Sequence, residues 1–127
     1  MLDIEQLINI VVEASYTVHN ILGPGFAEKV YKKALCHELR LREIEAREEV
    51  PITAYYKGIN VGDFSADLLV DNRLILELKA GAEEKVEHEC QLVNYLKSSD
   101  LPYGLLIYFG GYRINIKRKF RDRLPSL

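Results

Sequence analysis

The spacing of apolar residues predicts two amphipathic helices in the first third of the chain. Apolar side chains recur at helical spacing over residues 4–22, behind an N-cap at Asp3. Gly23-Pro24-Gly25 ends this helix, because the residue before a proline avoids the helical conformation. A second helix is predicted from Phe26 to Arg42.

The apolar period then changes from 3.6 to 2, which predicts β-strands. Alternation from Val50 to Tyr56 indicates a strand at the edge of a sheet, since Pro51 has no N–H for a ladder hydrogen bond. After a turn at Lys57-Gly58, two more strands are predicted, over residues 59–70 and 74–80.

A third helix and two further strands complete the predicted fold. The helix covers residues 82–97, a buried strand covers residues 103–109, and the last strand follows Gly110-Gly111. The order is ααβββαββ, an α/β fold with a central mixed sheet flanked by helices. A chain of 127 residues is expected to form one domain, residues 1–127.

The length of the turn after the second strand decides which side chains share a face of the sheet. A two-residue turn at Asp71-Asn72 places Glu77 in the apolar face. A three-residue turn makes one face wholly apolar, and burial favours that register. Its pairs are Val70 with Leu74, Leu68 with Leu76, Ala66 with Leu78, and Phe64 with Ala80. On the other face, Asp67 then lies opposite Glu77.

Two carboxylates opposite each other destabilise a sheet. A divalent cation removes the conflict, because Mg²⁺ prefers carboxylate and carbonyl oxygens. Lys79 shares the face with Glu77 and could orient a water molecule or neutralise a phosphate. The alternative is that Glu77 and Lys79 form the solvated face of an ordinary strand.

Composition narrows the class of protein. The 48% hydrophobic and 28% charged content excludes a disordered chain, and no apolar run reaches the ~18 residues of a membrane span. Cys36 and Cys90 do not have the spacing of a disulfide framework or a metal site. The N-terminal segment does not resemble a signal peptide, so a reducing cytoplasmic location is expected.

The net charge of −2 is unevenly distributed. From Arg113 onward the chain carries +5, and the rest carries −7. This basic segment is the candidate surface for positioning phosphates. Its basic residues are Arg113, Lys117, Arg118, Lys119, Arg121 and Arg123. The alternative is a solvated last strand followed by a loose terminus.

Five blocks of sequence, in order, resemble the GxxExxY family. They are residues 25–31, 66–70, 77–80, 88–97 and 104–107. The resemblance extends over about residues 18–120. That family in turn resembles the PD-(D/E)xK nuclease superfamily, especially its RecB-like branch. It implies a restriction-endonuclease-like core and hydrolysis of phosphodiester bonds with Mg²⁺ or Mn²⁺.

The resemblance also implies roles for individual residues. Asp67, Glu77 and the backbone carbonyl of Leu78 would be metal ligands, Glu28 a further acidic ligand, and Lys79 the catalytic lysine. Glu28 lies at the border of the apolar stripe of the second helix, so its side chain can approach the sheet. The alternative for Glu28 is an exposed ion pair with Lys32.

The third helix carries three polar residues on one face, His88, Gln91 and Tyr95. Gln91 and Tyr95 match the Q-x-x-x-Y pattern of the RecB-like branch, which implies a catalytic role in holding a substrate phosphate or the Lys79 end of the site. The alternative is an aromatic residue at the edge of the core with a solvated neighbour. His88 could bind a metal or transfer a proton, or be a partly buried helix residue.

The function implied is metal-dependent cleavage of nucleic acid, DNA in preference to RNA. Either its selectivity is low, or a separate protein partner supplies specificity. A homodimer is the alternative to such a protein partner. One alternative is a catalytically silent nuclease-fold module that binds nucleic acid or a protein partner. Another is an assembly protein that uses the apolar first helix as its partner surface.

Overall fold

The computed structural model describes residues 1–122 and contains the predicted order ααβββαββ. Its elements are α1 (Ile4–Leu22), α2 (Glu28–Leu41), β1 (Ala46–Tyr56), β2 (Ile59–Val70), β3 (Leu74–Lys79), α3 (Val86–Ser99), β4 (Tyr103–Tyr108) and β5 (Asn115–Phe120). None of the helices within these residues is long and apolar enough to cross a membrane.

Helix α1 has the predicted bounds, and two reciprocal hydrogen bonds cap its N-terminus. The Gln6 N–H donates to the Asp3 side chain at 2.8 Å, and the Asp3 N–H donates to the Gln6 side chain at 3.0 Å. A reciprocal cap of this kind satisfies two backbone donors that the helix leaves unpaired. The buried face of α1, from Leu7 to Val18, packs into the core.

The first residues of three elements differ from prediction by two or more positions. Helices α2 and α3 begin later than expected, at Glu28 and Val86, and strand β1 begins earlier, at Ala46. The start of β1 was missed because charged residues interrupt its apolar pattern. Their charges are offset by helix α2, where Lys32 pairs with Glu49 and Lys33 pairs with Glu48.

The five strands form one sheet in the order β1-β2-β3-β4-β5. Neighbouring strands are antiparallel except β3 and β4, which are parallel because α3 crosses over between them. Strand β1 lies at the edge, as Pro51 predicted. Helices α1 and α2 cover one face of the sheet, and α3 covers the other.

The β2–β3 turn has the predicted three-residue register. Val70 pairs with Leu74, Leu69 with Ile75, and Leu68 with Leu76, and the ladder between the two strands then ends. The expected pairs Ala66 with Leu78 and Phe64 with Ala80 are therefore wrong.

The expected single apolar face of β2 is also wrong at its N-terminal half. Ala66 belongs to the core on the α3 side, and the Phe64 ring lies 5.6 Å from the Tyr95 ring, whereas Leu68 packs on the α1–α2 side. The change of face falls at Asp67. The opposite residue in β1, Glu49, has a φ of 51°, so regular pairing of β1 and β2 is interrupted there.

The loop between α1 and α2 is held by Tyr31, which is fully buried. Its ring stacks on Phe109 with the centroids 4.5 Å apart. Its hydroxyl donates to the Gly23 carbonyl at 2.6 Å and accepts from the Phe26 N–H at 3.2 Å. These contacts fix the chain just before Glu28, the first residue of α2.

Candidate active site

Strands β2 and β3 separate at two acidic residues. The Leu78 N–H donates to Asp67 Oδ2 at 2.7 Å, and the Asp67 N–H donates to Glu77 Oε1 at 3.1 Å. These side-chain bonds begin where the backbone ladder stops, just beyond Leu68 and Leu76. Both carboxyl groups are buried, with Asp67 9% and Glu77 4% exposed. The structure thus brings together the two carboxyl groups that the sequence register predicted.

Glu28 supplies a third carboxyl group from the first turn of α2. It lies near enough to Asp67 for the charge of Asp67 to raise the pKa of Glu28. Its alternative partner, Lys32, instead pairs with Glu49. The ion pair between Glu28 and Lys32 that the helix spacing allowed is therefore not formed.

Burial and mutual repulsion make the three carboxyl groups difficult to ionise together. Burial, followed by the negative charge of Asp67, raises the pKa of Glu77 to about 8. Burial also raises the pKa of Asp67, although the hydrogen bond from Leu78 opposes this. The pKa of Glu28 is raised by burial and then by the charge of Asp67. A positive charge placed near these three groups would therefore favour their ionised forms.

The donor chemistry of this cluster fits a hard divalent cation, since carboxylate oxygens are the ligands that Mg²⁺ and Mn²⁺ prefer. Asp67 and Glu77 each use one oxygen to accept a backbone N–H, which leaves the second oxygen for another ligand. Within residues 1–122, no three acidic, histidine or cysteine side chains already converge in a metal-binding geometry. The carboxyl groups therefore have to reorient to bind one ion together.

Lys79 is placed by the backbone that follows β4. The Phe109 N–H donates to the Lys79 carbonyl at 2.9 Å, and the Gly110 N–H donates to the Gly81 carbonyl at 3.1 Å. A Cβ on Gly110 would lie 2.3 Å from the carbonyl carbon of Gly81, so only glycine allows this approach. The ammonium group forms no ion pair with any residue in the described part of the chain.

Tyr95 lies near the carboxyl groups on the α3 side, and Gln91 precedes it by one turn of the same helix. Tyr95 is 7% exposed and belongs to the core beneath α3. Burial raises the pKa of Tyr95, and the charges of Glu77 and Asp67 raise it further, whereas a hydrogen bond with Gln91 lowers it. Gln91 itself is exposed and lines a groove of about 670 Å³ that also contains Phe64. Their catalytic role stays a prediction.

The predicted basic surface is largely engaged within the chain. Arg118 donates two hydrogen bonds to Glu5, at 2.7 and 2.9 Å, and packs on the rings of Tyr103 and Phe120. Other pairs join Lys117 to Glu84, Lys119 to Glu89, and Arg121 to Asp100. Arg113 is exposed, and Arg123 lies outside the described residues. Lys117, Arg118 and Lys119 thus each have an acidic partner within the chain, and their role as a phosphate-binding surface stays a prediction.

Two residues near the site were missed from the sequence. Lys85 was placed inside a helix predicted to begin at residue 82, but it lies in the loop before α3 and lines a cleft with Glu28 and Lys79. Tyr108 was assigned to an apolar run, yet its hydroxyl lies 2.9 Å from Nδ1 of His88. The available signal for this contact was a tyrosine hydroxyl in a strand that packs against a helix carrying a histidine.

This combination of a mixed five-stranded sheet and a buried acidic pair beside a lysine defines a restriction-endonuclease-like fold. Residues 5–119 match the sequence model described as the PD-(D/E)XK nuclease superfamily, and the chain belongs to that superfamily.

One similar solved structure is titled "Crystal structure of SSO0001". It shares 22% sequence identity with this chain and superposes with a TM-score of 0.56 over 90% of this chain, which shows a common fold. This chain spans only 57% of the length of that protein. Among curated proteins, no sequence matches this chain significantly.

Proposed function

We propose that this protein is a metal-dependent nuclease that hydrolyses phosphodiester bonds in nucleic acid. The observation that carries the proposal is the buried pair of Asp67 and Glu77 where β2 and β3 separate, with the charges of Glu28 and Lys79 near enough to shift the pKa of Glu77. Membership of the nuclease superfamily supports the reaction class. The fold alone does not establish the chemistry, so the site carries the argument.

The finer assignments belong to the same proposal. On the five sequence blocks, we place the chain in the GxxExxY family and the RecB-like branch, as a single domain over residues 1–127. The proposed substrate is DNA in preference to RNA, and the proposed protein partner is either a second copy of the chain or a separate protein that supplies specificity. A cytoplasmic location stays a prediction from the sequence.

Asp67, Glu77, Glu28 and the carbonyl of Leu78 would hold Mg²⁺ or Mn²⁺. When bound, such an ion lowers the pKa of a water molecule and offsets negative charge on the phosphate. Reorientation of the carboxyl groups would exchange their backbone and mutual contacts for the ion, which also relieves their repulsion.

Lys79 contributes positive charge to the site in addition to that of a bound metal ion. Because its ammonium has no described ion-pair partner, it can contact a phosphate oxygen or orient the attacking water. Its backbone is held by Phe109 on β4's continuation, so the side chain starts from a fixed point. Tyr95 is buried on the α3 side, near enough for the charges of Glu77 and Asp67 to raise its pKa.

Metal titration tests this assignment without requiring a substrate. Mg²⁺ or Mn²⁺ should raise the melting temperature of the wild-type protein, because a ligand that binds only the folded state stabilises it by about 2.7 kcal/mol at a hundredfold excess over Kd. Asp67→Ala should remove the shift. Asp63→Ala, which removes an exposed acid from the same strand, should retain it. A wild-type protein without a shift would support the silent-module alternative instead.

A further inference from the structure

A cleft of about 370 Å³ opens between the end of β3 and the start of α3. Its charged and histidine side chains are Glu28, Lys79, Glu83, Lys85 and His88. Neither lysine forms an ion pair with a described residue, in contrast to the basic residues of β5. The cleft therefore offers two ammonium groups that no salt bridge holds, directly beside the proposed active site.

The hydrogen bonds of Tyr108 indicate which nitrogen of His88 carries the ring proton. Tyr108 is 1% exposed, and its hydroxyl accepts from the Lys85 N–H at 3.4 Å. The hydroxyl lies 2.9 Å from His88 Nδ1, the one acceptor it has among residues 1–122. Since the hydroxyl must donate its proton to Nδ1, the neutral ring carries its own proton on Nε2. This tautomer is assigned from the hydrogen-bond network.

The surroundings of His88 also favour the neutral ring. Burial lowers the pKa of His88, and the positive charges of Lys79 and Lys85 lower it further. Glu87 on α3 and Glu83 in the preceding loop act in the opposite direction. The net result is an imidazole that donates one N–H without carrying a charge.

We propose that Lys85 and His88 bind a phosphate of the nucleic-acid strand in this cleft, Lys85 as a cation and His88 through its Nε2–H. The proposal rests on the proposed nuclease function and names the substrate contacts of that site. It adds a phosphate contact at the loop before α3, separate from the predicted basic surface of β5. In such a site the cation contributes to the salt dependence of binding, whereas the neutral donor does not.

Equilibrium binding of a fluorescein-labelled oligodeoxynucleotide tests the proposal, with single- and double-stranded probes measured in Ca²⁺ over a range of salt concentrations. Electrophoresis verifies that the probe remains intact, and thermal melting verifies that each variant is folded. Lys85→Gln should lower the slope of log affinity against log salt by about one, because one phosphate contact is lost. Lys57→Gln removes the same charge from the β1–β2 turn and should change neither slope nor affinity.

His88 is tested by two substitutions. His88→Leu should weaken binding by about 3- to 10-fold, as expected for one lost hydrogen bond, without changing the salt slope. His88→Gln, which keeps an N–H at the end of the side chain, should recover most of the affinity.

Unchanged affinity in both Lys85→Gln and His88→Leu would overturn the proposed contacts. A salt slope that falls equally in both variants would overturn the neutral donor. The nuclease function is judged separately: a wild-type protein that shows these binding effects but leaves the probe uncut in Mg²⁺ and Mn²⁺ retains the phosphate site and loses the catalytic assignment. A wild-type protein that does not bind the probe overturns both the phosphate site and the nuclease function.

Discussion

Lys79→Ala is expected to lower the rate of Mg²⁺-dependent cleavage by about 100-fold or more, because removal of one donor that stabilises transition-state charge costs about 10²–10³ in rate. The effect should fall on the chemical step. Single-turnover cleavage of a labelled oligonucleotide measures that step, and binding of the same probe in Ca²⁺ measures affinity separately.

The fold should tolerate this substitution. Lys79 forms no ion pair among the described residues, and its backbone bond to Phe109 does not depend on the side chain. The melting temperature should therefore stay close to that of the wild type. Lys33→Ala is a matched control, since its exposed ammonium pairs with Glu48 on β1. Cleavage by Lys79→Ala at the wild-type rate would sink the assignment of the catalytic lysine.

The metal-free protein should lose stability as the pH rises from about 4.5 to about 8. Between these values the folded state still binds a proton on Glu77, whose pKa is about 8, whereas the unfolded state has released it. The free energy of unfolding then falls with pH, because the folded state binds more protons than the unfolded state. The expected loss is about 4 kcal/mol for a shift of this size in a buried group.

Glu77→Gln removes the titrating group and should flatten this pH dependence. Urea denaturation in a metal chelator, repeated across the pH range, measures it. The exposed acid in Glu13→Gln serves as the control, and that variant should keep the wild-type dependence. Mg²⁺ or Mn²⁺ should stabilise the wild type most at high pH, because metal binding displaces protons from its ligands. A wild-type stability that is constant from pH 4.5 to 8 would contradict the buried acidic cluster.

The order of elements and the pairing of the two acids followed from the sequence for a physical reason. A slip of one residue between β2 and β3 would have exchanged buried and exposed faces, so the apolar positions from Leu68 to Leu76 selected one register. Glu28 was also predicted correctly beside the sheet, because its place at the edge of an apolar helical stripe fixes its direction.

The separation of β2 and β3 could not be predicted in the same way. The sequence suggested a ladder that continued to Phe64, but the carboxylates of Asp67 and Glu77 accept the N–H groups next to them and the ladder stops. Competition between a side chain and the backbone for one donor leaves no mark on the pattern of apolar residues. The consequence is a buried acidic site where a regular sheet was expected.

The fate of the basic residues depended on contacts distant in sequence. Glu5 and Arg118, which are 113 positions apart, meet because α1 packs against the sheet near β5. The basic residues of β5 do form a local excess of positive charge. Their acidic partners lie in α1, in α3 and in the segments around α3. Charge counted along the chain therefore overestimated the free positive surface of β5.

The most direct test of the account is incubation of labelled single- and double-stranded DNA and RNA with the wild-type protein and with Asp67→Ala, each with and without Mg²⁺ or Mn²⁺. The account predicts that the wild type cleaves DNA only when the metal is present, and that Asp67→Ala does not cleave it. Failure of the wild type to cleave any of the four substrates in either metal, or equal metal-dependent cleavage by Asp67→Ala, would contradict it.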